Sequence, residues 1–295
     1  MTLLESNPAA PHAAEHRPAS PRRRDRSRWP VLLVLAALAV VMLLPFAIVL
    51  INAIKTPGEY ATGGPLALPH GLYTGGITTF WTRVGFGRIL VNSIVISGVV
   101  AVVAVLLSTL NAYALGIGRI RGRAWIVAAF LVANTLPQEG LIYPLYYLAK
   151  QLNLYDSAWS VIVVFAVIQS AFGTYLFTSV LGTFPRELVE AAEIDGAGRW
   201  AVLWRVVAPI SRPTLGVLCV FFFIWTWNEL YIPMVMLVSN ENQTVPVALS
   251  VLQGDKTMDA TMTSSSALLG LLPAVVFFLI FQRTLSRGIT VGAVK

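Results

Sequence analysis

A chain of 295 residues that is 56% hydrophobic and 12% charged, with a mean hydropathy of +0.72, has too little polar side chain to cover a soluble globule of its size. A formal charge of +7 raises nucleic acid as a partner, but the basic residues are spread over four segments beside apolar runs and read as a topology signal. The lone cysteine, Cys219, excludes an internal disulfide, and apolar runs without His or Lys exclude an intramembrane metal or nucleophile–base centre.

Residues 1 to 28 mix Pro, Ala, His and Arg with few large apolar side chains, and are expected to form a disordered cytoplasmic tail. The membrane domain then occupies 29 to 295. Its first apolar window, Val31 to Ile54, is longer than the core of about 7–15 residues in a secretory signal and reads as a retained span. The connection from Asn52 to Arg88 is rich in Gly and Pro and predicts an irregular loop with short packed elements.

Five further windows are each long enough to cross hydrocarbon, which takes about 20 residues. They are Ile89 to Ile117, Ala124 to Leu148, Ala158 to Leu181, Thr214 to Val238 and Ala260 to Phe281. Continuous rather than alternating apolarity excludes barrel strands, so the expected fold is an all-α membrane protein with six transmembrane helices. Small residues Ser93, Ser97, Gly98, Ala101 and Ala104 read as a helix-packing face. Six, three, four and three basic residues fall on one side of these spans and five on the other. The positive-inside rule then puts both termini in the cytoplasm.

Two windows contain a carboxylate, Glu139 and Glu229. Charge is costly in hydrocarbon, so both are expected to face the bundle or a wet cavity. With Gln138, Trp225, Trp227 and Asn228 beside them they form a candidate substrate path, in which amides and carboxylates accept sugar hydroxyls and indoles stack on sugar rings. Pairing with a partner helix and service as the ion site of a secondary carrier are the alternatives.

Between the fourth and fifth windows the chain reads ELVEAAEIDGAGRWAVLWRVVAPISRP. Pro185 suits a first helical turn, Glu187 and Glu190 suit the positive end of a helix dipole, and Gly196 and Gly198 suit its end. A helix over about 185–195 would be roughly 16 Å long and cannot span. Leu188, Ala191, Ala192 and Asp195 share a face whose alanines admit close approach of a partner. Trp200, Leu203, Trp204 and Val207 make a second stripe suited to a membrane surface. An interfacial loop without a partner is the alternative reading.

Glu190-Ala191-Ala192, then Asp195-Gly196-Ala197, Leu203, Val206 and Ala208-Pro209, resemble the EAA loop of binding-protein-dependent ABC transporter permeases. Leu203 and Ala208 stand where that family has Phe and Leu. Pro144-Leu145-Tyr146-Tyr147, Trp227-Asn228-Glu229 and the tail from Gln282 to Lys295 narrow the likeness to MalG-like carbohydrate permeases. The resemblance implies a type I ABC importer permease fold in a bacterial cell membrane, with a coupling loop at about 183–212. Glu190, Ala191, Ala192, Asp195, Gly196, Ala197 and Pro209 would engage the ATPase. The implied partners are two ATPase subunits, which bind ATP and Mg, a second MalF-like permease, an extracytoplasmic sugar-binding protein and membrane lipid. No catalytic residue, metal or cofactor belongs to this chain in that reading, and its four lysines stand in no G-x-x-x-x-G-K-[ST] phosphate loop.

Overall fold

The computed structural model describes residues 28–118, 120–253 and 260–293. The expected disordered tail, Arg28 apart, and the last two residues of the tail motif lie outside these. Among the described residues the regular structure is helical. The chain divides at Pro45, and the first unit holds the N-terminal part of α1 (Arg28–Ala53). From Trp29 to Pro45 every side chain of α1 is exposed although nearly all are apolar, as befits a helix solvated by lipid or by another membrane subunit.

The second unit begins at Phe46, within α1. Lys55, only 1% exposed, donates its ammonium to Asn52 Oδ1 at 2.9 Å and to the Gly64 carbonyl at 3.0 Å. These bonds compensate the burial of its charge and fasten the following loop. That loop is more regular than its Gly and Pro content predicts. Thr56 and Glu59 form a reciprocal capping box on α2 (Pro57–Gly63), and α3 (Gly75–Val84) follows.

The core is built from α4 (Phe86–Gly116), α7 (Ala158–Leu181) and α11 (Arg212–Asn228). Along α4, Ser93, Ser97, Ala101, Ala104, Ser108 and Ala112 recur every three or four residues and are buried, which lets α7 come close. Of the small residues read as packing positions, Gly98 is the exception, being half-buried with open space beside it. Closest approach is at Gly173, where an added Cβ would collide with Ser108 and lie 2.8 Å from the Phe222 ring. Polar bonds cross the same seam, from Asn111 Nδ2 to Thr174 Oγ1 at 3.3 Å and from Gln169 Nε2 to Thr226 Oγ1 at 2.8 Å. Farther along, α14 (Ala260–Ala293) meets α11 through a stack of rings, Trp227 on Phe223 and Phe223 on Phe277 at 3.9 Å.

The expected spans are not all single straight helices. Among the described residues four helices (α1, α4, α7 and α14) are long and apolar enough to cross a membrane, and the count reaches six when two bent pairs, over 123–151 and 199–228, are each taken as one span. The third window breaks into α5 (Arg123–Thr135) and α6 (Gln138–Gln151), whose axes differ by 94°. Pro137 supplies no N–H and forces Leu136 into extended backbone, so α5 has to stop. The fifth window breaks at Glu229, and α12 (Tyr231–Met236) restarts beyond it. Pro233 explains this break, because its ring would clash with the carbonyl four residues back, that of Glu229, in a continued helix.

Candidate functional site

The segment after α7 folds into one exposed helix followed by three short helical pieces. Helix α8 (Arg186–Ile194) begins after Pro185 in extended backbone, with Glu187 in its first turn. Its end is a Schellman motif, in which the Gly196 N–H bonds the Glu193 carbonyl at 3.0 Å and the Ala197 N–H bonds the Ala192 carbonyl at 2.9 Å. Gly196 sits at φ 79°, left-handed backbone in which a side chain is strained, and nothing lies within 4 Å of where its Cβ would be. The expected helix and its glycine stop are both present.

One side of α8 is anchored and the other is open. Val189 is buried, and Ala192 and Ala197 pack against the same cluster. Leu188, Glu190, Ala191 and Asp195 are exposed, so Ala192 turns half inward from the face on which its spacing placed it. Ile194, 86% exposed, projects from the open side, and the sequence reading overlooked it. The available signal was an apolar residue about 140° around the helix from Val189, just before the glycine stop. Among the described residues no ion pair ties Glu187, Glu190, Glu193 or Asp195 to a basic side chain, which leaves this acidic rim free for a basic partner.

The anchor comes from the following stretch, α9 (Arg199–Val202), a π-helical turn over Leu203–Val207 and α10 (Ala208–Ile210). Here the expected stripe of Trp200, Leu203, Trp204 and Val207 splits. Leu203 and Val207 are buried with Val202 against Phe177, Leu181 and Phe222, whereas Trp200 and Trp204 are 67% and 43% exposed. Each pair four apart shares a side, the tryptophans outside and Leu203 with Val207 inside, and Val202 rather than a tryptophan completes the inner face. The Ala208 N–H bonds the Leu203 carbonyl five residues back, opening the helix just before Pro209, which is half-buried. Tyr113 Oη of α4 donates to the Arg199 carbonyl at 3.1 Å. Both departures from the family pattern, Leu203 and Ala208, therefore lie in the anchor and leave the open face untouched.

The second group of candidate residues sits at the helix breaks. Gln138 is half-buried and Glu139 exposed in the first turn of α6. Asn228 ends α11 with its amide on the Ile224 carbonyl, and Glu229 Oε1 accepts the Tyr231 N–H at 3.3 Å. Trp225 is half-buried among Phe172 and Phe221, and Trp227 is buried in its ring stack, so the indoles face protein while the polar four gather at the breaks.

A clamp that the sequence reading missed fastens the far ends of α6 and α12. Asp156, between α6 and α7, accepts the N–H groups of Val238 and Ser239 at 3.0 Å and the Ser239 hydroxyl, and its carbonyl takes the Asn242 amide at 2.6 Å. Partial burial pushes its carboxyl up, but the hydrogen bonds from Ser239, Asn242 and Val238 outweigh this and hold it below the ordinary range. Next to it Lys150 lies over the Tyr146 and Tyr155 rings, at 4.6 and 5.2 Å. Asn92 of α4 grips the same loop through the Glu241 carbonyl at 2.8 Å, ahead of α13 (Val245–Gln253).

Residues 84–291 match the family described as binding-protein-dependent transport system inner membrane component. The melibiose/raffinose/stachyose import permease protein MelC of Bacillus subtilis is 26% identical over 273 residues, 92% of this chain and 98% of that one. The arabinooligosaccharides transport system permease protein AraQ of the same organism is 30% identical over 204 residues, 69% of this chain and 72% of its own. Among solved structures, a chain of a bacterial ABC transporter involved in the import of the acidic polysaccharide alginate superposes with a TM-score of 0.76. It is 22% identical, with 88% of this chain and 97% of that chain covered.

Proposed function

Because the chain belongs to the family of binding-protein-dependent transport system inner membrane components, we propose that it is one of two permease subunits of an ATP-driven importer of carbohydrate. The observation that carries this reading is α8, a short helix open on its acidic and Ile194 side and rooted on its other side in the ends of α4, α7 and α11. A rigid element so rooted transmits force: an ATPase that grips Glu190, Ala191, Asp195, Gly196 and Ile194 moves α7 and α11 together. Ala192, Ala197 and Pro209 support that helix from within. The rim's charge calls for a basic lining in the ATPase cleft.

Energy comes from partner ATPases, two in the complete assembly, which bind ATP and Mg. The Lys and Arg distribution supports α8 and both termini on the cytoplasmic side. An extracytoplasmic binding protein delivers solute, and a second permease completes the passage. Carbohydrate as the cargo rests on the named cargoes of MelC and AraQ together with Gln138, Glu139, Asn228 and Glu229, which offer hydroxyl-binding groups where the third and fifth apolar windows break. The ion-coupled carrier built on Glu139 and Glu229 is not carried forward, since the family is binding-protein-dependent.

Purification of the tagged chain from gently solubilised membranes tests the assembly. Recovery with an ATPase and a second permease is expected. Recovery alone or as a homodimer, under conditions that preserve a known complex, overturns it. Ile194→Cys in a background lacking Cys219 tests the orientation. With the ATPase stripped off, an impermeant maleimide should reach it in inverted vesicles and not in intact cells.

A further inference from the structure

Away from the open face of α8, a groove of about 420 Å³ runs between α5 and the end of α7. Ala124, Val127, Ala128 and Leu131 give it an apolar wall, and Tyr175, Thr178 and Ser179 face them from α7. Arg123 stands at its mouth, Arg121 precedes it in the same exposed turn, and no carboxylate lines it. Among the described residues neither arginine is ion-paired. Beside them Trp125 is 82% exposed, as an aromatic side chain is at headgroup depth. Within the groove's reach, Thr178 Oγ1 is buried without a hydrogen-bond partner.

The trough is thus cationic and hydroxyl-bearing at the membrane surface and apolar further in, the polarity profile of a phospholipid. We propose that it holds an anionic phospholipid, one acyl chain along Ala124, Ala128 and Leu131 and the phosphate on Arg123 and Arg121. A neighbouring apolar helix is the poorer occupant, because it would cover Arg123 and Thr178 without pairing either. A zwitterionic lipid would fill the trough while bringing no net charge to two unpaired guanidinium groups. Gly182 closes the groove's end four residues before α8 starts, so the bound lipid braces the part of α7 from which that helix hangs.

Native mass spectrometry of the intact transporter complex, after incubation with phosphatidylglycerol or with phosphatidylcholine of the same chains, tests this. The parent complex should retain phosphatidylglycerol preferentially. Arg123→Ala should cut that retention about fivefold, the loss expected for one basic residue at an anionic surface. Ala128→Trp, which fills the trough and leaves every charge in place, should cut it at least as much. Equal retention of the two lipids, or phosphatidylglycerol retention indifferent to either variant, overturns the proposal. So does capture of another protein chain, and not lipid, by a photo-reactive side chain at Ala128. Should the filled variant fail to assemble, Arg123→Ala and the lipid comparison decide the matter.

Discussion

The α8 segment lies between two apolar windows and the helix breaks at 136–137 and 229–230 lie within two others, and these regions are held by opposite means. Around α8 the fastening is apolar, with Val189, Val202, Leu203 and Val207 buried while the acidic side chains point away. Around α6 and α12 the far ends are fastened by polar groups, Asp156 and Asn92 gripping residues 238–243, while Gln138, Glu139, Asn228 and Glu229 lie at the breaks. The contrast fits the roles proposed for the two regions. A helix that transmits force needs a rigid root and a free face, and close packing supplies the root. A passage needs backbone that leaves the helix inside the membrane, and this is tolerated only where polar partners satisfy the freed groups.

Changes to the shared scaffold should be the most severe. Gly173→Leu forces a side chain into Ser108 and Phe222 at the α4–α7 seam, on which both regions hang, and overpacking there costs about 1–3 kcal/mol or more. Greatly reduced accumulation in the membrane and a lowered melting temperature of the solubilised complex are expected. Normal behaviour would mean that the seam is looser than its geometry indicates.

Gly196→Val touches only the α8 side. At φ 79° a β-branched residue is strained by roughly 1–2 kcal/mol, whereas Gly196→Asn tolerates that backbone. The valine variant should keep its spans inserted yet lose ATP hydrolysis coupled to transport, and the asparagine variant should retain most of it. Equal loss in both would point to side-chain bulk, not to the turn.

Asp156→Asn isolates the polar fastening and should cost about 1–2 kcal/mol at neutral pH, the worth of hydrogen bonds to a charged acceptor. Because the folded carboxyl titrates below its unfolded value, this stabilisation is full above the unfolded range and fades as pH falls through the folded value. The melting-temperature gap between parent and variant should therefore narrow below about pH 4. The anchor of α8, having no such carboxylate, should be indifferent over the same range.

Glu139→Gln is expected to have the smallest structural effect, within about 0.5 kcal/mol, since the side chain is exposed. If the breaks form the passage, uptake should nonetheless slow while basal ATP hydrolysis stays unchanged. Unaltered uptake in both this variant and Glu229→Gln would remove these carboxylates from the path.

Much of this was legible in the chain itself. Membrane class, the positions of the apolar windows, the short helix after Pro185 and its stop at Gly196 follow from composition, periodicity and residue-specific backbone preferences, which act over a few neighbouring residues. Pro137 and Pro233 were visible too, but a proline in an apolar window is compatible with a kink as well as with a break. The prolines place the two breaks, but only packing decided that they are breaks and not kinks and that α5 and α6 turn by 94°. The division of Trp200 and Trp204 from Leu203 and Val207, the protrusion of Ile194, and the clamp of Asp156 on residues more than 80 positions away depend on which surfaces α4, α7 and α11 offer. Spacing shows which side chains share a face, but what lies opposite that face is settled by contacts distant in the chain.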